Sequence, residues 1–284
     1  MEPHVRVSAL LLALTGCIAS HSNRSAATGL PGQHVERRPN EIKRTLLAQG
    51  DVAGRPGFES RLYLVEYPPE TEGPLHVHTE QCVGYVIAGQ FLSAFGKDPP
   101  ALTRAGQGFI DRPHEPHRFT NPDPHRPLQF VVTGMFRKDE PLFWPVEDTD
   151  HLGSISASSS AFVEPAPAVS SNAPLAEVRR SLLAQKDIAD LPGLESRLYL
   201  MEFPPGAASK AHIHTSQGLG YVLEGSFESS FGDGPVTSRH AGDGFVDVVG
   251  KPHHFRNPDS ARPLRFVFAG TFHKDEPLFQ LAPQ

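Results

Sequence analysis

Cysteine is scarce in this chain of 284 residues, which contains only Cys17 and Cys82. Two cysteines exclude a scaffold held together by several disulfide bonds. The sequence also lacks an apolar run of the roughly 20 residues that a membrane-spanning helix requires. Its net charge is -6 at pH 7, which argues against electrostatic binding to nucleic acid. These absences leave a globular protein as the expectation.

Glycine, proline and histidine are the abundant features. The 25 glycines and 28 prolines disfavour long helices and favour short strands joined by turns. The 15 histidines include several close pairs, and histidine is a common ligand of transition metals in proteins. The composition therefore predicts a β-rich protein that can form metal sites.

The first residues have the pattern of an export signal, which we exclude from the fold. An apolar stretch from Val7 to Leu14 is about half the length of a membrane span. It ends in the sequence LTGC, which resembles the lipobox of bacterial lipoproteins. This resemblance implies a signal peptide at residues 1–16 and a lipid on Cys17, which would be the only attachment to a membrane.

We therefore expect a protein of the cell envelope, anchored in the periplasm or at the outer membrane. The alternative is ordinary signal cleavage near Ala19 or Ser20, which would remove Cys17 and release a secreted protein. Residues 17–40 are rich in small and polar residues, a composition typical of a flexible tether.

The strongest signal in the sequence is an internal duplication. Glu41–Trp144 aligns with Glu177–Gln280 without a gap, and segments such as ESRLYL and KDEPLF recur in register. Each copy has the size of one compact domain. The sequence between the copies is rich in Ser, Ala and Pro, as linkers are. We predict domains at 41–145 and 174–284, joined by a linker at 146–173.

Each copy is predicted to be all-β. The first copy has apolar or alternating runs at 61–67, 85–91, 108–111 and 128–136, separated by Pro-Pro, Gly and Asn-Pro turns. Such spacing is typical of an antiparallel sandwich or barrel. Only the opening segments, Ile42–Ala48 and Val178–Ala184, have a pattern compatible with a helical turn.

Histidines recur in both copies at the same positions. Each copy contains a His-x-His pair, and on a strand these two imidazoles point to the same face. Two imidazoles on one inner wall can bind a divalent metal together. A third histidine follows further along each copy, so neither duplicate has lost the trio.

The residues around these histidines resemble the two sequence motifs of the cupin superfamily. The segments similar to the first motif are EGPLHVHTEQCVGYVIAG (72–89) and SKAHIHTSQGLGYVLEG (209–225). Those similar to the second motif are GQGFIDRPHEPHRFTN (106–121) and GDGFVDVVGKPHHFRN (242–257). The chain thus resembles a bicupin, a tandem of two jelly-roll barrels of the double-stranded β-helix type. The resemblance implies that the metal ligands are His76, His78 and His117 in the first copy and His212, His214 and His253 in the second.

The chain departs from the first motif at the fourth ligand, a glutamate. Cys82 and Gly218 stand in its place. Gln81 and Gln217, one position earlier, are candidates either for a weak carbonyl ligand or for a hydrogen bond in the wall. Cys82 is either a small buried hydrophobe or a redox or substrate-tethering group. The simplest site has three neutral histidines and open coordination positions.

Cysteine dioxygenases and beta-diketone dioxygenases are cupins similar to this arrangement, with three histidines on Fe(II). The resemblance implies a metal-dependent, dioxygenase-like oxidoreductase that acts on a small molecule. Fe(II) is the favoured cofactor, with Zn, Ni, Mn and Cu as alternatives, because imidazole suits all of them. Tyr85 and Tyr221 are candidate cavity residues that could hydrogen-bond the substrate.

Other interpretations stay open at this stage. The protein could be a non-catalytic lipoprotein that binds a ligand or metal, or a metal-dependent isomerase, decarboxylase or hydrolase. The six histidines could also be duplicated core residues without a metal. We expect Asp111 and Asp247 to accept a hydrogen bond from a ligand histidine or to close a turn, and the KDEPLF tails to seal one barrel against the other. A homo-oligomer is compatible with such barrels.

Overall fold

The computed structural model describes residues 41–146 and 177–283. The predicted signal peptide, the lipid on Cys17, the tether and nearly all of the predicted linker lie outside the described residues. Within the described ranges all helical or extended structure is β-strand, so the all-β prediction is confirmed. No helix there is long and apolar enough to cross a membrane.

The first copy forms two five-stranded antiparallel sheets. Their strand orders are β1-β2-β9-β4-β7 and β10-β3-β8-β5-β6. The strands are β1 (Lys43–Asp51), β2 (Phe58–Tyr67), β3 (His76–Val77), β4 (Cys82–Ala88), β5 (Gln90–Phe95), β6 (Ala101–Arg104), β7 (Gly108–Ile110), β8 (His117–Thr120), β9 (Leu128–Arg137) and β10 (Trp144–Pro145).

The second copy repeats this architecture. Its sheets have the orders β11-β12-β19-β14-β17 and β16-β15-β18-β13-β20. The strands are β11 (Arg179–Asp187), β12 (Leu194–Phe203), β13 (His212–Ile213), β14 (Gly218–Glu224), β15 (Ser226–Phe231), β16 (Thr237–His240), β17 (Gly244–Val246), β18 (His253–Arg256), β19 (Leu264–His273) and β20 (Gln280–Leu281).

Two local predictions need correction. The opening segments that were compatible with a helical turn belong to the strands β1 and β11, which pair along their length with β2 and β12. The predicted run at 85–91 is two strands, β4 and β5, with a turn at Gly89. Gly89 has a φ of 76°, and a Cβ there would lie 2.6 Å from the carbonyl oxygen of Pro127. Glycine is required at this turn because it has neither the clash nor the strain.

Three apolar clusters hold the described chain together. One fills each barrel and is rich in phenylalanine. The third joins the barrels and contains side chains of both, among them Leu62, Val131, Leu198 and Val267. The sheets that contain β2 and β12 therefore pack face to face, and their central strands, β2, β9, β4, β12, β19 and β14, are mostly buried on both sides.

Candidate metal centres

The three histidines predicted in the first copy meet at one point inside the barrel. His76 on β3 is the antiparallel partner of His117 on β8, and His78 follows β3 by one residue. Each side chain offers a ring nitrogen, and these three nitrogens lie within 4.8 Å of one another. All three side chains are buried, with residue exposures of 5% or less.

Backbone carbonyls orient these rings. Each Nδ1 lies at hydrogen-bond distance from a carbonyl oxygen and donates its proton there, so each Nε2 keeps a free lone pair. The pairs are His76 with Pro74 at 2.9 Å, His78 with Leu142 at 2.8 Å and His117 with Glu115 at 3.0 Å. The first barrel therefore presents three Nε2 atoms in the form that binds metal.

The second barrel repeats the trio, but fewer hydrogen bonds orient its rings. His212 is the antiparallel partner of His253, and its Nδ1 lies 2.8 Å from the carbonyl oxygen of Lys210. The rings of His214 and His253 are stacked, with an interplanar angle of 10°. Both ring nitrogens of His253 lack a hydrogen-bond partner. The ligand atoms of this trio also lie within 4.8 Å of one another.

Burial keeps all six histidines neutral. It lowers the pKa of His78 and His214 to about 3 and that of His76 and His253 to about 4, because a charged imidazole loses its hydration in the barrel. Neighbouring histidines of each trio lower these four pKa values further. A neutral imidazole is the form that coordinates a metal.

A buried aspartate faces each trio. In the first barrel, Oδ2 of Asp111 lies 3.5 Å from Nε2 of His78. In the second, Oδ2 of Asp247 lies 3.0 Å from Nε2 of His214. Burial raises the pKa of Asp111 to about 8 and that of Asp247 to about 7. In the first barrel the aspartate thus lies on the Nε2 side of the rings. Backbone carbonyls accept the Nδ1 protons, which is the role first expected of Asp111.

The unpartnered atoms test whether a metal fits. Nε2 of His117, Nε2 of His253, Oδ1 of Asp111 and Oδ2 of Asp247 are all buried without a hydrogen bond. Buried polar atoms are rarely left without a partner unless an ion or water completes the site. Three neutral imidazoles with a carboxyl group beside them form a donor set that suits a divalent transition metal. The residues of both barrels therefore fit the ion that the motif implies.

The glutamines one position before the motif's fourth ligand have another role. The amide of Gln81 donates to Oγ of Ser196 at 3.0 Å and to the carbonyl oxygen of Lys186, both in the second barrel. The amide of Gln217 donates to the carbonyl oxygen of Asp51 in the first. These contacts place the two amides between the barrels, so the structure gives no support to a glutamine ligand.

Tyr85 and Tyr221 do not line either cavity as expected. Both belong to the apolar cluster that joins the barrels. Successive residues of β4 alternate between two buried faces: Val83 and Tyr85 face the other barrel, while Cys82 and Val86 belong to the interior cluster. The tyrosines stabilise the contact between barrels and are not positioned to bind a substrate in the cavities.

Cys82 is enclosed beside the first trio. Its Sγ lies 3.8 Å from Nδ1 of His78, and the residue has no exposed surface. Burial raises the pKa of this thiol well above its usual value, which keeps it protonated and unreactive. The environment fits the interpretation of Cys82 as a small buried hydrophobe.

The KDEPLF tails cover the sites instead of sealing one barrel against the other. In the first barrel the tail contributes the carbonyl of Leu142 to His78 and the ring of Phe143, whose centroid lies 4.8 Å from that of His76. Arg61 holds this tail through the carbonyl oxygens of Arg137 and Glu140. The sequence alone did not indicate this function, although the recurrence of the tail in both copies was a signal of it.

The cavities beside the two trios differ greatly. The second barrel has a cavity of about 310 Å³ next to His212 and His214, whereas the corresponding cavity of the first barrel measures about 20 Å³. Arg44 and Tyr67 are among the residues around the smaller cavity. The two barrels share a metal-binding arrangement but offer unequal space to a second ligand.

Comparisons with known proteins agree with this architecture. The model of the family described as Cupin domain matches residues 63–134 and 199–270, and a search of curated protein sequences gave no match. Oxalate decarboxylase of Lactobacillus farciminis, in a formate complex, has a similar structure, with 15% identity and a TM-score of 0.52 over 84% of this chain and 88% of that one.

Oxalate decarboxylase of Bacillus subtilis at pH 4.6 is also similar, with 14% identity and a TM-score of 0.53 over 85% of this chain and 78% of the other. A further structure, concerned with the Mn(II) centres of the same Bacillus enzyme, has 14% identity and a TM-score of 0.52 over 85% and 79%. At such identities the likeness shows the fold alone. Together with the two family matches, it establishes that the chain belongs to the cupin family and is a bicupin.

Proposed function

We propose that this bicupin is a metal-dependent, dioxygenase-like enzyme and that its second barrel is the reaction chamber. The observation that carries the proposal is the cavity of about 310 Å³ that opens beside His212 and His214. A cavity of this size accommodates a small organic molecule next to the metal ligands. We propose Fe(II) as the metal and a substrate with an apolar body.

The walls of this cavity define the substrate class. Most of its lining is aromatic or aliphatic, including Phe203, Phe255, Phe266 and Phe268. Such walls favour an apolar substituent and exclude water from the reacting centre. Lys210, an exposed residue at the lining, offers a positive charge to an anionic or enolate group of the substrate. A small apolar molecule with a metal-binding oxygen group fits these features.

A bound Fe(II) ion would supply open coordination positions for a substrate oxygen atom and dioxygen, and would couple the two by electron transfer. The chain's residues have the other tasks. The histidines hold the ion, the phenylalanines position the apolar body, and the tail keeps Phe279 over His212 at a ring distance of 4.6 Å. The first barrel, with about 20 Å³ of free space, would stabilise the pair without turning over a substrate.

Decarboxylation is the second candidate, since the similar structures are oxalate decarboxylases and one concerns Mn(II). Proton transfer in such chemistry usually needs a positioned acid or base. Among the described residues that line the second-barrel cavity none carries a carboxyl group, and the buried Asp247 lies behind them, beside His214. Oxalate is also small and doubly charged, whereas this cavity is large and apolar. These observations favour the dioxygenase proposal.

Oxygen consumption is the direct test. We would load metal-free protein with Fe(II) under anaerobic conditions and measure oxygen uptake with a panel of beta-diketones, thiols and aromatic enols. Uptake is expected with one class, and it should be lost in His214→Ala but retained in His78→Ala. Mn(II)-loaded protein that releases carbon dioxide from oxalate would instead establish the second candidate. Metal binding without turnover of any compound would favour a binding module.

Two tryptophan variants, one of which fills the cavity, test whether turnover takes place in the second barrel. Ala208 lines the cavity, so Ala208→Trp should raise KM or abolish uptake while leaving the metal content unchanged. Ala261 is exposed in a turn away from that lining, and Ala261→Trp serves as the matched control. Equal activity of the two variants would argue against this chamber.

We further propose that Cys17 carries a lipid that anchors the protein in the cell envelope, since LTGC ends the apolar stretch of the sequence. Metabolic labelling with a palmitate analogue should mark the full chain but not Cys17→Ala. Release of an unlabelled protein into the medium would instead establish ordinary signal cleavage.

A further inference from the structure

The two barrels have lost the motif's glutamate at Cys82 and Gly218, yet a carboxylate lies directly across the sheet from each position. In the first barrel β4 pairs with β7 through Val83 and Ile110, so the next pair in register is Cys82 and Asp111. The backbone N–H of Asp111 donates to the carbonyl oxygen of Cys82 at 2.9 Å. Asp111 is therefore the cross-strand neighbour of the position where the motif has its acid.

The second barrel has the same relationship. Leu219 pairs with Val246, and the backbone N–H of Asp247 donates to the carbonyl oxygen of Gly218 at 2.9 Å. A Cβ atom at position 218 would lie 2.0 Å from Cζ of Phe268. Because of this ring, a glutamate cannot be placed at 218 without rebuilding the cavity wall. Asp247, which directly follows the neighbouring strand β17, can reach the histidines without that clash.

The carboxyl groups point at the trios. Asp111 and Asp247 are each 1% exposed. Oδ1 of Asp111 lies 4.0 Å from Nε2 of His117, and Oδ2 of Asp247 lies 3.0 Å from Nε2 of His214. Adjacent donors on a six-coordinate ion with bonds of about 2.1 Å are about 3.0 Å apart. The distance in the second barrel matches that spacing.

A turn-closing role accounts for only part of this arrangement. Oδ1 of Asp247 accepts a hydrogen bond from the backbone N–H of Val248 at 2.9 Å, which does stabilise the turn after β17. Oδ2 of the same group remains buried without a hydrogen bond, as does Oδ1 of Asp111. One oxygen of each carboxyl group is thus left over for another partner.

We propose that Asp111 and Asp247 are the fourth metal ligands of their barrels, so that each site has three histidines and one carboxylate from the residue that follows β7 or β17. The missing glutamate has been replaced by an acid one strand away. Each ion would then carry a lower net charge and keep two open positions instead of three. The proposal concerns metal binding and stands apart from the proposed reaction, because its test involves no turnover.

Titration with Co(II) tests the proposal. The metal-free wild type is expected to bind two equivalents with visible absorption bands. Asp111→Asn should keep the shape of the side chain but bind one equivalent at least about tenfold more weakly, with changed bands, and Asp247→Asn should do the same at the other site. Asp98→Asn, an exposed aspartate paired with Arg112, is the control and should match the wild type.

A rescue variant separates a lost ligand from a damaged fold. Cys82→Glu in the Asp111→Asn background returns an acid to the motif position, and recovery of tight Co(II) binding is expected. Wild-type affinity and spectrum in both asparagine variants would overturn the proposal. Crystals of the Co(II)-loaded wild type decide the matter even if a variant fails to fold. A carboxylate oxygen within about 2.3 Å of the ion supports the assignment, whereas one beyond ligand distance in both barrels overturns it.

Discussion

Nδ1 of His78 lies 2.8 Å from the carbonyl oxygen of Leu142, which joins a metal-ligand candidate on one side of the barrel to the tail that covers it. Arg197 shows how such a tail is held in the second barrel: its guanidinium donates to the carbonyl oxygens of Glu276 at 2.7 Å and His273 at 3.0 Å. Its Nε also donates to the buried Glu195 at 2.6 Å. In the first barrel Arg61 and Glu59 form the corresponding buried ion pair, which fixes the tail that orients His78.

Removing Arg61, the arginine at the equivalent position of the first barrel, should weaken both the fold and the metal site. In Arg61→Ala, the buried Glu59 loses its cationic partner, which costs about 3–5 kcal/mol of unfolding free energy. The released tail should lower metal affinity by about 10- to 100-fold, because a residue that orients a ligand is lost. Urea unfolding of the metal-free protein measures the first effect, and Co(II) titration at low temperature measures the second.

Arg126 provides the control for this prediction, since it is an exposed arginine of the same barrel. Arg126→Ala should change the unfolding free energy by less than about 0.5 kcal/mol and leave metal affinity unaltered. If Arg61→Ala were destabilised but bound Co(II) as tightly as the wild type, the tail would have no part in orienting His78.

The pH dependence of stability follows from the buried histidines on the acid side. In the unfolded chain these residues titrate near pH 6.5, whereas burial lowers the folded pKa of His78 to about 3 and that of His76 to about 4. Between these values the unfolded state takes up protons that the folded state refuses. The metal-free protein should therefore lose stability as the pH falls from about 6.5 toward 4.

The buried aspartates have the opposite effect on the pH dependence of stability. Burial raises the folded pKa of Asp111 to about 8 and that of Asp247 to about 7, against about 3.9 in the unfolded chain. The folded state holds these protons while the unfolded state has released them, so stability falls as the pH rises through about 4 to 8. Below about pH 6.5 the effect of three histidines on the unfolding free energy exceeds that of one aspartate in each barrel. Above that pH only the aspartate changes the unfolding free energy.

Metal-free protein should consequently be most stable near pH 6.5. Urea unfolding in the presence of EDTA at about pH 4.5, 6.5 and 8.5 measures this profile. The double variant Asp111→Asn/Asp247→Asn should lose the decline on the alkaline side and keep the acid decline. A profile without loss of stability in acid would show that the histidines are not buried as neutral groups.

The sequence was sufficient to predict the histidine trios, because the His-x-His spacing puts two rings on one face of a strand and the duplication repeats it. It misplaced Tyr85 for a physical reason. Strand alternation shows that Val83 and Tyr85 share a face, but both faces of β4 are apolar, so the pattern does not say which one is inside. The partnership of Asp111 with Cys82 was also out of reach, since it depends on the register between two strands.

Close packing between the barrels leads to a further prediction. A Cβ atom at Gly244 would lie 2.7 Å from Cβ of Leu47 and 3.2 Å from its carbonyl group, in the other barrel. At Gly108 the nearest atom is Cδ2 of Leu198, at 2.6 Å, and the end of a leucine side chain can move by changing its rotamer. Gly244→Ala should therefore cost about 1–3 kcal/mol of unfolding free energy, and Gly108→Ala less. The reverse order in urea unfolding would show that the barrels do not pack through these edges.

Metal should stabilise the two barrels separately. A ligand that binds only the folded state at 100 times its Kd adds about 2.7 kcal/mol per site, so Co(II) should raise the Tm of the wild type. His117→Ala removes a buried donor of the first trio and should reduce the bound metal from two equivalents to one, with about half of the stabilisation. The exposed His125 supplies the control, because His125→Ala leaves both trios intact. Two tightly bound equivalents in His117→Ala would mean that the ion is held outside the first trio, and the assignment of that site would fail.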